Sequence, residues 1–175
     1  MFALLFGLLL EINTNNPNLC SVGVLRNNPE GYFWPLSYVQ MFVDSADVIV
    51  RVEASRMGPL QRPDPLLGYF DTEIRFNVLE VLKGPSQTKE VVVAGEFVEK
   101  DDFNLLEVPY RMVRPLGQRG DCFATQYKRG AQYLLILRRH GEVLTPYWRS
   151  LAPLNEQVRG EDDKWVRWVR NEIKR

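Results

Sequence analysis

Phe70-Asp71-Thr72-Glu73-Ile74-Arg75-Phe76-Asn77-Val78-Leu79-Glu80-Val81-Leu82 is the stretch that decides how this chain folds. From Phe70 through Ile74 and Phe76 to Val78, apolar and polar residues alternate, the period of a strand with one buried face. The apolar set then steps by one position, to Leu79 and Val81. One face holds both sets only if an extra residue is inserted near Val78-Leu79, so the pattern predicts a β-bulge there. A long strand coiled by a bulge is how a small barrel carries one strand through two sheets. Lys83-Gly84-Pro85 ends it.

Working outward, Val48, Val50, Val52 and Ala54 alternate against Arg51 and Glu53, which predicts a strand over 47–54. The Pro- and Gly-rich residues 56–68 predict a loop. Ahead of that strand, Pro35 to Val43 shows the apolar spacing of one helix face, with Pro35 suited to the first turn and Asp44-Ser45 as a stop. Residues 11–34 read as an irregular lead-in. On the other side, Glu90-Val91-Val92-Val93-Ala94-Gly95 is a continuous apolar run, expected in the centre of the sheet. Residues 99–107 read as an acidic exposed loop, Pro109 to Val113 as a short strand, and Pro115 to Gly120 as a turn leading to Cys122. Tyr127 to Gly130 reads as a turn into a strand over Ala131–Leu137. Arg138 to Glu142 make a hairpin to Val143–Trp148. A closing helix spans about Asp162 to Lys174, with Trp165, Trp168, Val169 and Ile173 on one side and Asp162 or Asp163 as cap. The resulting fold class is mainly β. Five or so strands with helices outside predict an OB-like five-stranded barrel with flanking N-terminal and C-terminal α-helices. A β-sandwich is the alternative, and helices at both ends disfavour it.

Length and charge bound the function. The chain has 175 residues, enough for one domain with a core of its own. Lys plus Arg number 22 and Asp plus Glu number 22, so no general attraction to nucleic acid or to an anionic membrane is expected. The apolar run Phe2 to Leu10 is too short to span a bilayer core of about 30 Å. It fits the apolar region of an export signal, although no basic residue precedes it and no small-x-small site follows. A buried strand or a misassigned start codon is the alternative. Residues 1–19 are thus expected to be a signal or leader segment and 20–175 a single exported domain, secreted or in the cell envelope, with no transmembrane span. Leu19-Cys20 also raises lipoprotein processing, against which Pro17-Asn18 lack small side chains. Cys20 and Cys122 are the only two cysteines. In an exported chain they favour one disulfide, and in a cytosolic chain two free buried thiols.

Enzyme signals are sparse. His140 is the single histidine and falls in the hairpin turn. Pairing it with Cys122 for nucleophilic catalysis needs a free thiol and a third, orienting group. A structural zinc site needs about four N or S ligands, more than the chain supplies. Neither Asp101-Asp102 nor Glu161-Asp162-Asp163 has the spacing of a calcium loop. Asn155-Glu156-Gln157 reads as a turn bonding the backbone, or as a polar patch at one barrel end. Trp148, Trp165 and Trp168 read as core, or as the lining of a ligand groove. No catalytic residue, metal site or cofactor is expected.

Several segments carry a resemblance. An N-terminal Cys, then Ala46-Asp47-Val48-Ile49-Val50-Arg51, then Phe76-x-Val78-Leu79-Glu80-Val81-Leu82-Lys83-Gly84, then Cys122 ahead of Gly130-Ala131-x-Tyr133-Leu134-Leu135 resembles the NTR/TIMP-like OB-fold superfamily, its secreted bacterial members above all. Leu144-Thr145-Pro146-Tyr147-Trp148 and Leu151 to Gln157 fit the same pattern. The resemblance covers roughly residues 20–170 and implies a disulfide-stapled barrel. In the animal inhibitors of this superfamily, a mature N-terminal Cys chelates the zinc of a metalloprotease through its amino group and carbonyl. Carried over, Cys20 would supply the chelating amine and bridge to Cys122, and Ser21 and Val22 would enter the neighbouring subsites. The chain departs from those inhibitors in having Val22 in place of a second Cys and room for one bridge only. The expectation is an exported, non-enzymatic binding or structural module for an unknown extracytoplasmic protein. The alternative is a metalloprotease inhibitor acting through Cys20.

Overall fold

A helix, a curled antiparallel sheet and a closing helix organise the structure, a computed structural model describing residues 33–61, 70–119, 122–146 and 148–175. The elements in chain order are α1 Leu36–Ser45, β1 Val48–Pro59, β2 Thr72–Lys83, β3 Glu90–Ala94, β4 Glu96–Val98, β5 Gln126–Lys128, β6 Gln132–His140, β7 Val143–Pro146, β8 Asn155–Val158 and α2 Lys164–Ile173. The sheet order is β3-β2-β1-β6-β7, with β8 also pairing β6. Each of these pairings is antiparallel. β4 and β5 form a small parallel pair apart from the main sheet.

The bulge lies where the apolar pattern places it. Arg51 faces Glu80 and Val52 faces Val78, so Leu79 is the extra residue on β2. Val78 and Val81 thereby stay on one face, packed on the cluster around Phe76, while Leu79 is exposed. A second irregularity skips Leu82, which packs on the opposite face against the helices, and a third skips Ser55 on β1. Each bulge increases local twist, and together they curl the five strands into a half-barrel. β3 and β7 approach each other at the outer edges, but no ladder joins them among the described residues.

Two apolar layers result. On the concave face Val48, Val50, Val52, Ile74, Phe76, Val91, Val93, Tyr133 and Leu135 pack together. On the other face Ile49, Leu134 and Ile136 meet Val39, Phe42 and Val43 of α1 and Trp165, Val166 and Val169 of α2. Trp165 is fully buried and stacks on Trp168 at 5.0 Å between ring centroids. Asp163 caps α2, accepting from the Trp165 N–H at 2.9 Å, one of the two caps expected. Trp148, at 6% exposure, belongs to the concave core.

Several expectations are corrected. β1 runs on to Pro59, so 56–59 are strand rather than loop. β3 is an edge strand and not a central one; its continuous apolar run reflects burial of Val91, Val93 and Ala94 at the margin of the curl. Pro109 to Val113 form no strand, and the Val108–Pro109 bond is cis. Pro115–Gln118 make one turn of 3₁₀ helix, and Tyr127 lies in β5 rather than in the turn after it. Cys20, Ser21 and Val22, and the whole segment 1–19, lie outside the described residues. Among the described residues no helix is long and apolar enough to cross a membrane.

Candidate functional site

Two polar assemblies stand out, one buried and one open, and they share the dipeptide Asp101-Asp102. The buried one gathers on β8. Asn155, Glu156 and Gln157 are a strand and not a turn, and all three are buried, Glu156 completely. The segment 99–107 packs onto them, so the expected exposed loop is corrected: Asp102 and Asn104 are only 4% and 3% exposed.

Arg114, 0% exposed, is the centre of this cluster. Its guanidinium donates to Asp102 Oδ2 at 2.5 Å, to the Asn155 carbonyl at 2.9 Å and to the Ala124 carbonyl at 3.0 Å. Its carbon lies 5.2 Å from the Tyr127 ring centroid and 5.3 Å from that of Tyr133. Asp102 Oδ1 accepts from the Leu116 N–H at 3.0 Å, and the Asp102 N–H donates to Gln157 Oε1 at 2.6 Å. Asn155 Nδ2 donates to the Ala124 carbonyl and to Tyr127 Oη, at 2.5 and 2.8 Å. A buried ion pair of this kind contributes little net stability against an apolar replacement, but it is costly to break on one side only.

Glu156 is the odd charge. Its Oε1 accepts from the Arg114 backbone N–H at 3.1 Å and its Oε2 from Asn104 Nδ2 at 2.9 Å. The guanidinium beside it is bonded to Asp102 instead, so two carboxylates share one cation. Burial pushes the Glu156 carboxyl up to about 7; Arg114 and the two hydrogen bonds pull it down, and Asp102 pushes it up again. Burial likewise raises Tyr110 and Tyr133 above the usual phenol range. With its hydrogen bonds directed to the chain's own backbone and side chains, the cluster clamps residues 99–119 and 122–125 onto β8 and β6. Arg114, Asp102, Asn104, Asn155, Glu156 and Gln157 are all buried.

The open assembly begins at the neighbouring residue. Asp101 Oδ2 meets Lys128 Nζ at 2.9 Å, and its Oδ1 accepts from Gln157 Nε2 at 2.7 Å. These two partners hold the Asp101 carboxyl below the ordinary carboxylate range. Asp101 and Lys128 line a surface groove of about 550 Å³ with Phe103, Arg129, Gln157 and Arg159. The Arg159 guanidinium lies 4.1 Å from the Phe103 ring centroid, and that of Arg129 lies 4.8 Å from the Phe97 centroid. Of the sequence-level polar triplet, Gln157 reaches this groove and Glu156 does not.

A second cleft, of about 310 Å³, lies at the seam of the half-barrel, lined by Val92 of β3, Leu144 of β7, Arg75 and Arg139 among others. The Val78 N–H bonds the Lys89 carbonyl and the Gly95 N–H bonds the Thr72 carbonyl. Antiparallel pairs alternate between bonded and non-bonded, so Val92 turns its N–H and C=O toward the seam. Charged neighbours flank this edge, which is unpaired among the described residues, and they discourage edge-to-edge association: Arg75 bridges Glu73 and Glu90 at 3.1 and 2.9 Å.

Cys122 is 3% exposed, at φ +68°, packed with Val113, Ala124 and Leu151, and is not a free thiol. His140 ends β6 opposite Val143, exposed to solvent. Among the described residues no three His, Cys, Asp or Glu side chains are arranged to hold a metal. The sequence reading did not find Arg114. No local signal marks it: an Arg before Pro115 reads like any solvated one, because the partners that bury it come from other segments. No protein-family model matches the chain, and no curated protein matches it either.

Proposed function

We propose that the chain is an exported, non-enzymatic binding module built on an OB-like barrel. Residues 1–19 act as its signal segment, and 20–175 form one domain stapled by a Cys20–Cys122 disulfide. The strand order supports the barrel: β1-β2-β3 on one side and β1-β6-β7 on the other bring β3 and β7 together as parallel neighbours at an unclosed seam. The observation that carries the binding role is the contrast between the two polar assemblies. The buried charges are consumed inside the chain, whereas Arg129 and Arg159 stand at an open groove, poised on aromatic rings.

A second reading rests on Cys122. A buried cysteine that is not a free thiol is what an N-terminal tether requires. A mature chain starting at Cys20 would then present its amino group, with Ser21 and Val22, to a metalloprotease zinc. One experiment tests both: the intact mass of the exported, unreduced protein, with and without reduction and thiol alkylation. A start at Cys20, with label taken up only after reduction, supports export and staple and keeps the inhibitor reading. A later or earlier start removes chelation, and a full-length chain with two labelled thiols removes export altogether.

A further inference from the structure

Resting on the binding-module reading, we infer that the groove between the Lys128–Gly130 turn and the end of β8 docks an acidic peptide segment through Arg129 and Arg159.

Charge comes first. The groove presents Lys128, Arg129 and Arg159 against a single carboxylate, Asp101. That carboxylate is occupied by Lys128 and Gln157. Among the described residues Arg129 and Arg159 have no ion pair, so the site is left cationic.

Preorganisation comes next. A guanidinium lying over a phenyl ring keeps its in-plane N–H groups free for the bidentate geometry that suits a carboxylate. Both arms of the groove are anchored. The Gly130 N–H donates to the Ala54 carbonyl at 2.7 Å, and the Ala131 N–H to the Lys128 carbonyl at 3.2 Å. On the other side the Arg159 N–H donates to Asp163 Oδ2 at 3.0 Å, beside the α2 cap. Little ordering remains to be done on binding.

The same geometry argues for a peptide over other polyanions. Phe103, which lines the groove, carries the Arg159 guanidinium on one face, and Phe97 beside it carries that of Arg129, which leaves less aromatic surface for a nucleobase to stack on. The whole chain has zero formal net charge, which gives no long-range pull on a polymer of phosphates or sulfates. Discrete carboxylates on an extended segment match two discrete arginines.

The test uses fluorescent hexaglutamate and the exported, oxidised protein at low salt. Saturable binding is expected, weakening about a hundredfold in the Arg129→Ala/Arg159→Ala double variant, since each lost charge-assisted contact removes roughly an order of magnitude. Both side chains are exposed, so the melting temperature of the double variant should stay near that of the parent. Arg139→Ala, at the β6–β7 hairpin outside the groove, is the control and should bind as the parent does. No saturable binding, or equal loss with Arg139→Ala, overturns the proposal. Tighter binding of a sulfated polysaccharide of matched charge overturns the peptide as occupant. The mass measurement above is independent: confirmed export without hexaglutamate binding removes the groove and leaves the module, while a cytosolic full-length chain removes the module.

Discussion

Asp101 and Asp102 are adjacent in the chain and do opposite work. The Asp102 side chain is 4% exposed and bonded to a guanidinium that is 0% exposed, whereas the Asp101 side chain is 47% exposed and meets a lysine at the surface. The chemical pairing is the same, a carboxylate and a cation. In the interior the charges cannot turn to water when a partner is lost, so the contact becomes obligatory. At the surface, water and salt replace either partner and the contact becomes adjustable. One residue apart, the chain builds a clamp and then a surface that is free to bind.

The comparison breaks most clearly at Arg114. Arg114→Ala would leave Asp102 charged and buried, with the Asn155 and Ala124 carbonyls short of a donor. A loss of about 3–5 kcal/mol is expected in urea unfolding. A loss under 1 kcal/mol would mean that the cluster admits water and is no different from the groove.

Next comes pH. The Glu156 carboxyl sits at about 7 in the folded state against an ordinary value of 4.5, so the folded state holds the proton more tightly than the unfolded one. Its contribution is therefore full below about 4.5, falls as pH rises toward 7, and is gone above that. The expected loss of stability between pH 4.5 and pH 8 is on the order of 3 kcal/mol. Glu156→Gln should abolish this slope, which thermal melts across that range would read. A variant with the parent's slope assigns the titration elsewhere.

Gly95 sharpens the comparison from outside. At φ +155° it lies against the Thr125 carbonyl, which a Cβ would overlap. That approach holds Ala124 where its carbonyl can take two donors of the cluster. Gly95→Ala should cost about 2 kcal/mol, with near-additive behaviour toward Asp101 variants and coupling to Arg114 variants. The smallest effect belongs to the groove: Asp101→Asn should move the melting temperature by about 1 °C or less, because water replaces its bonds. A large drop there would place Asp101 in the clamp.

How much of this was legible follows from the range of each interaction. The bulge at Leu79 could be read because a change in the alternation of neighbouring residues is a local signal, and the cap at Asp163 and the indole face of α2 are local too. The buried cluster was not legible. Glu99-Lys100-Asp101-Asp102 looks like any solvated loop, and the partner that buries Asp102 lies on a different segment, with β8 farther still. Continuous apolarity misplaced β3, because burial on both faces occurs at the margin of a curl as well as in the middle of a flat sheet.

Alternation, cap chemistry and turn residues therefore determined, by sequence alone, a mainly β chain with a helix near each end and one strand bent at a foreseeable place. Which of two neighbouring aspartates became structural, which glutamate was left without a cation, and which arginines remained at an open groove were decided only by the tertiary fold. Burial is a property of what packs over a residue, and the segments that pack here are brought together by the curl of the sheet rather than by their order in the chain.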